Sequence, residues 1–86
     1  MFYVYILKST VDGRLYIGQT NNVVQRLERH NKGFVRATRN RKPLEVLIFK
    51  EFETRGDAMK MEKYLKSLKG GEEFKKVIKH WGLAKW

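Results

Sequence analysis

Five side chains of this 86-residue chain combine into a workable chemistry: two phenols, Tyr5 and Tyr16; a guanidinium, Arg26, four residues before an imidazole, His30; and a carboxylate, Glu62. Breaking a phosphodiester bond needs a group that activates water, a cation on the phosphate in flight and something that stabilises the leaving oxygen. These residue types can divide that work. Other routes are closed or weaker. Without Cys there is no thiolate zinc site and no Cys nucleophile. His30 and His80 lie fifty residues apart, and no His-Glu-x-x-His spacing exists, so a helical zinc motif is excluded. Glu73-Phe74-Lys75 has the Glu-x-Lys spacing of one nuclease class, but no strand Asp precedes it suitably, and Glu72-Glu73 reads as the acidic start of a helix.

The elements that must position these groups are legible in the pattern. Phe2 to Leu7 is an unbroken aromatic and β-branched run that predicts a strand, and Arg14 to Thr20 resumes it after Asp12-Gly13. Asp-Gly favours a tight hairpin turn, so opposed residues are expected to have numbers summing to 25. Tyr5, Leu7, Tyr16 and Gly18 then share one face, and Val4, Ile6, Leu15 and Ile17 the other. Asn21 or Asn22 can cap a helix from Val23 to Asn31, with Val23, Val24 and Leu27 at helical spacing and Gly33 just beyond. Arg26 and His30 fall beside that stripe, so the sheet should cover both partly.

Lys32 to Pro43 reads as a basic surface loop. Leu44 to Glu53 predicts a third strand, in the sheet centre or covered on both faces. Thr54, with Asp57 three residues on, resembles a capping box before a helix whose stripe is Ala58, Met61, Leu65 and Leu68. A break at Gly70-Gly71 precedes a last helix carrying Phe74, Val77, Ile78 and Trp81. The expected fold class is α+β, ordered β-β-α-β-α-α, with a small three-stranded antiparallel sheet flanked by helices.

Size and charge bound the rest. With 42% apolar and 13% aromatic residues, the chain can build one modest core, and a single domain over 1–86 is expected. Met1 to Leu7 is no signal peptide and is too short to span a bilayer, so a cytoplasmic location is expected, with no membrane association. The net charge of +10 attracts polyanions. Residues 1–43 hold nine basic and two acidic residues, while residues 44–86 hold ten and seven. Arg29, Lys32, Arg36, Arg39, Arg41 and Lys42 are therefore the expected nucleic-acid contacts, since the fork of arginine matches phosphate oxygens. A solvated basic loop is the ordinary alternative.

Tyr3-Val4-Tyr5-Ile6-Leu7 resembles the first motif of the GIY-YIG nuclease superfamily, with Val4 in place of its Gly, and Tyr16-Ile17-Gly18 matches the second. Arg26 with His30 resembles the family's Arg-x-x-x-His, and Glu62 its metal-binding Glu. His30-Asn31-Lys32-Gly33, Pro43 and Glu62-Lys63-Tyr64-Leu65-Lys66 resemble the small standalone members related to the N-terminal catalytic domain of the excision-repair incision subunit. The resemblance implies the GIY-YIG endonuclease fold and a metal-dependent endonuclease of low sequence specificity on DNA, RNA not being excluded, in repair or branched-DNA processing.

It further implies one Mg²⁺ or Mn²⁺ ion on Glu62, with no small-molecule cofactor, and catalytic roles for Tyr5, Tyr16, Arg26 and His30. Arg26 would hold the phosphate, Tyr5 would help take the proton of the attacking water, and Tyr16 and His30 would orient water or relay that proton. A phenol, ordinarily near pKa 10, can act as a base near neutrality only if cations such as Arg26 and the metal lower it.

Each residue also has an ordinary reading. The tyrosines could be half-buried sheet aromatics, His30 a satisfied core-edge histidine, and Glu62 the partner of Lys66 at i,i+4. The matching alternatives for the whole chain are a nucleic-acid-binding module with little or no cleavage and a structural or interaction protein.

Overall fold

The computed structural model describes residues 1–68 and 71–82. The order is β1 (Phe2–Ser9), β2 (Leu15–Thr20), α1 (Val23–Asn31), β3 (Leu44–Phe52), α2 (Arg55–Leu68) and α3 (Glu72–His80). The three strands form one antiparallel sheet in the order β2-β1-β3.

Alternation sorts the side chains of the hairpin as expected. Tyr5 and Leu7 pack with Leu44, Tyr16, Leu27 and Val46 on the α1 face. Val4, Ile6 and Ile17 pack with Ala58, Leu65, Phe74 and Ile78 on the other face, under α2 and α3.

The register differs from expectation by two residues. Tyr5 opposes Gly18 and Leu7 opposes Tyr16, so paired numbers sum to 23. The turn is a longer loop over Thr10–Gly13, because the Ser9 hydroxyl accepts from the amides of Val11 (3.2 Å) and Asp12 (3.3 Å). The Ser9 amide donates to the Arg14 carbonyl at 2.9 Å, closing the loop one pair earlier than a two-residue turn would. A shift of two preserves the faces, so the clustering of the tyrosines survives the correction.

The third strand is an edge, and β1 takes the centre. Its unbroken apolar run comes from a bulge. Ile6 pairs with Ile48 and Leu7 with Val46, which leaves Leu47 as the extra residue. Leu47 and Ile48 consequently both pack on the α2 face, and Phe49 returns to the α1 face with half its surface exposed.

Asn22 caps α1 by accepting from the Gln25 amide at 3.0 Å. Val24, expected in the buried stripe, lies 70% exposed, and Leu27 and His30 carry the contact instead. Thr54 caps α2 through the Asp57 amide at 3.1 Å. Of the expected Gly70-Gly71 break, Gly70 lies outside the described residues, while Gly71 stands at the N-cap of α3.

The segment between α1 and β3 is tied down more firmly than its composition suggests. Asn31 clamps its two ends, donating to the Leu44 carbonyl at 3.0 Å and accepting from the Leu44 amide at 2.7 Å. Ser9 donates to the Arg41 carbonyl at 2.6 Å, and Thr10 to the Pro43 carbonyl at 3.0 Å. A short 3-10 turn at Arg39–Arg41 follows Thr38, which is buried.

Candidate active site

Tyr5, Tyr16, Arg26 and His30 converge between the hairpin and α1. Tyr5, in the central strand, is almost fully buried, and its hydroxyl is the hub. It accepts from Arg26 Nε at 3.3 Å and lies 3.2 Å from His30 Nε2. The His30 ring packs edge-on against Tyr16, centroid to centroid 4.8 Å, and against Tyr5 at 6.0 Å, and the two phenol rings are 6.4 Å apart.

This packing requires Gly18. It faces Tyr5 across the ladder, and a Cβ there would lie 2.6 Å from Tyr5 Cζ and closer still to the hydroxyl. The room left by the missing side chain is filled by this chain's own ring.

Burial sets the electrostatics. His30 has no exposed surface, and desolvation, with the charge of Arg26 behind it, pushes its pKa from 6.5 down to about 4. It is neutral at pH 7. The Arg26 guanidinium is raised by its hydrogen bond to Tyr5 and stays charged. Tyr5 departs from expectation. Its pKa is raised above 10.0, since desolvation outweighs the lowering by the Arg26 hydrogen bond, and the charges of Tyr16 and Glu62 add to the rise. Near neutrality Tyr5 therefore keeps its proton. Tyr16 is only partly buried.

Glu62 lies on α2, half-buried, with 21% of its side chain exposed. Its charge acts on Tyr5, so the carboxylate is within electrostatic reach of the hub without touching it. Its ordinary reading also holds, because Lys66 Nζ sits 2.8 Å from its Oε2. Among the described residues no three His, Asp or Glu side chains gather as a metal cage. A single carboxylate would hold a hard divalent ion only with most of its water kept, and at the expense of the bond to Lys66.

Of the basic loop, Arg29, Lys32, Arg36, Arg39 and Lys42 are exposed. Arg29 lies 5.8 Å from the Phe34 ring centroid. Arg41 is partly buried and engaged, with Nε 3.7 Å from Asp12 Oδ2 at the hairpin loop. Two contributors escaped the sequence reading. Thr38 Oγ1 lies 2.7 Å from His30 Nδ1, and Asn31 holds the segment that delivers it. Asn31 stood in the His30-Asn31-Lys32-Gly33 motif with no role read from it, and for Thr38 an uncharged Thr inside a run of cations was the one faint signal.

Residues 1–76 match the GIY-YIG catalytic domain, so the chain belongs to that family of nucleases. Its similarity extends to small bacterial relatives called UPF0213 proteins. It is 44% identical to one from Clostridium perfringens over 69 residues, 79% of this chain and 73% of that protein. With one from Oceanobacillus iheyensis it shares 42% identity over 76 residues, 87% of each. The solution NMR structure of a UPF0213 protein from Bacillus halodurans superposes with a TM-score of 0.59 at 32% identity, covering 95% of this chain and 88% of that one. GIY-YIG nucleases generally use divalent metal ions. Among the described residues no helix is long and apolar enough to cross a membrane.

Proposed function

We propose that the protein is a divalent-metal-dependent endonuclease that hydrolyses phosphodiester bonds in DNA with low sequence preference, as one cytoplasmic domain over residues 1–86, in repair or branched-DNA processing. The observation that carries this reading is the hydrogen-bonded set of Arg26, Tyr5 and His30 beside Tyr16, within the stretch 1–76 that matches a nuclease family.

Arg26 binds a non-bridging phosphate oxygen, its Nε fixed by Tyr5. Tyr16, less buried than Tyr5, orients the attacking water, and Tyr5, buried and protonated, holds the site together instead of acting as the base first expected of it. His30 holds the Tyr5 hydroxyl, and Tyr5 holds Arg26. Glu62 is the residue that would bind the one Mg²⁺ or Mn²⁺ ion, which when bound supplies positive charge at the leaving oxygen. Arg29, Lys32, Arg36, Arg39 and Lys42 contact flanking phosphates, with Arg41 contributing less.

A binding module without cleavage is the competing reading, and the Glu62–Lys66 pair favours it, since that carboxylate has a partner without any metal. Nicking of supercoiled plasmid with and without Mg²⁺ separates the two. The nuclease reading expects metal-dependent nicking in the parent, lost in Glu62→Ala while DNA binding persists. Absence of nicking by the parent at any Mg²⁺ or Mn²⁺ concentration would refute it.

A further inference from the structure

The direction of every hydrogen bond in the buried array follows from its one unambiguous member. A guanidinium only donates, so the Tyr5 oxygen accepts from Arg26 Nε. The Tyr5 proton then needs an acceptor, and in its buried position His30 Nε2, at 3.2 Å, is the hydrogen-bond partner in reach. His30 Nε2 must therefore carry a lone pair. Neutral imidazole has one proton, which falls on Nδ1 and points at Thr38 Oγ1, 2.7 Å away. The Thr38 hydroxyl in turn donates to the Val35 carbonyl, 3.5 Å away. Thr38 is buried, so no solvent competes for either bond.

From this we infer that Thr38 is a positioning residue for the phosphate-binding guanidinium: by accepting from His30 Nδ1 it selects the tautomer that turns the Tyr5 proton away from Arg26. In the other tautomer Nε2–H would donate to the Tyr5 oxygen, and the phenol proton would have to swing toward Arg26 or an apolar wall. The hydroxyl could then no longer present a lone pair squarely to Arg26 Nε. Thr38 acts through two intermediaries, His30 and Tyr5, and touches no substrate. The inference rests on the nuclease reading for its catalytic consequence, but the tautomer itself does not depend on it.

The test uses the full chain with Thr38→Val, which keeps the shape and removes the hydroxyl, and Thr38→Ser, which restores it. Long-range ¹H–¹⁵N correlation spectra at pH 7 report the His30 tautomer directly, with His80 as an exposed internal reference. The expected result is an Nδ1-protonated His30 in the parent and in Thr38→Ser, and a mixture or the Nε2-protonated form in Thr38→Val. Plasmid nicking should fall about tenfold or more in Thr38→Val, in kcat or KM, and recover to within about twofold in Thr38→Ser.

An Nε2-protonated His30 in the parent overturns the inference, as does a Thr38→Val protein whose His30 tautomer is unchanged. If Thr38→Val does not fold, Thr38→Ser and the parent spectrum still decide the tautomer, and a Thr38→Ser protein that loses it overturns the inference equally. A parent that nicks nothing refutes the nuclease reading instead, and leaves the tautomer result standing on its own.

Discussion

Replacing Gly18 with Ala tests the packing that the site depends on. Gly18 lies in β2 with an ordinary extended backbone, so only space opposes a side chain there. The new Cβ would sit 2.6 Å from Tyr5 Cζ and 3.1 Å from Cε2. Carbon atoms in contact settle at about 3.5–4.0 Å, so the ring must withdraw by about 1 Å. Tyr5 is 1% exposed, so the ring moves against packed neighbours. Overpacking of this kind costs about 1–3 kcal/mol, which in a domain of this size lowers the Tm by about 5–20 °C. The same displacement stretches the bonds to Arg26 and His30, now 3.3 and 3.2 Å, beyond hydrogen-bonding reach. Misplacing a catalytic group by about 1 Å can cost about 10²-fold in rate.

Thermal unfolding followed by circular dichroism and the plasmid assay should both report loss in Gly18→Ala. Gly56→Ala is the control, because its Cβ meets only Thr54 Oγ1 at 3.9 Å. There the gain in helix propensity should leave Tm unchanged or raise it. A Gly18→Ala protein with the parental Tm and nicking rate would refute the reasoning.

Stability should depend on His30 in acid. Its pKa is lower in the fold (about 4) than the ordinary 6.5, so the unfolded chain takes up the proton first as pH falls. The contribution is complete above 6.5, declines between 6.5 and 4 and amounts to about 3 kcal/mol at most. Urea midpoints at pH 7 and pH 4.5 should therefore differ more in the parent than in His30→Gln; equal differences would refute the assignment. DNA affinity should fall steeply with salt, and removing the exposed Arg36 and Arg39 together should flatten the log–log slope by about 2. Arg41→Ala, which removes a cation held by Asp12, should flatten it less; an equal or larger change would show that the ion pair does not withhold it.

What could be read from the sequence was whatever one residue's type or a short period decides. Face alternation put Tyr5 and Tyr16 together, and helical spacing put Arg26 with His30 between residues 23 and 31, where the helix stands. The failures all involve a second element. The turn length was set by the Ser9 side chain folding back on two amides, which overrode the preference of Asp-Gly for a two-residue loop. The run Leu47-Ile48-Phe49 imitated a strand covered on both faces, since a bulge directs two neighbours to one side and hides the alternation of an edge strand. Thr38 was invisible because its role exists only once Asn31 has pinned the loop end and returned the chain to α1.

The same distinction separates the two phenols. Identity and spacing placed a cation beside Tyr5, and a cation alone would lower its pKa. The sign reverses because the fold spends this tyrosine as the central residue of the central strand, where removing water from the oxygen costs more than Arg26 returns. A protonated, dry Tyr5 is a poor base but a good scaffold, since it can donate to one neighbour and accept from another at once, and the neighbours are His30 and Arg26. Tyr16, on the edge strand, is only partly buried for the corresponding reason. The difference between two identical side chains is thus set by strand order, the central phenol buried between Arg26 and His30 and the edge phenol keeping part of its surface.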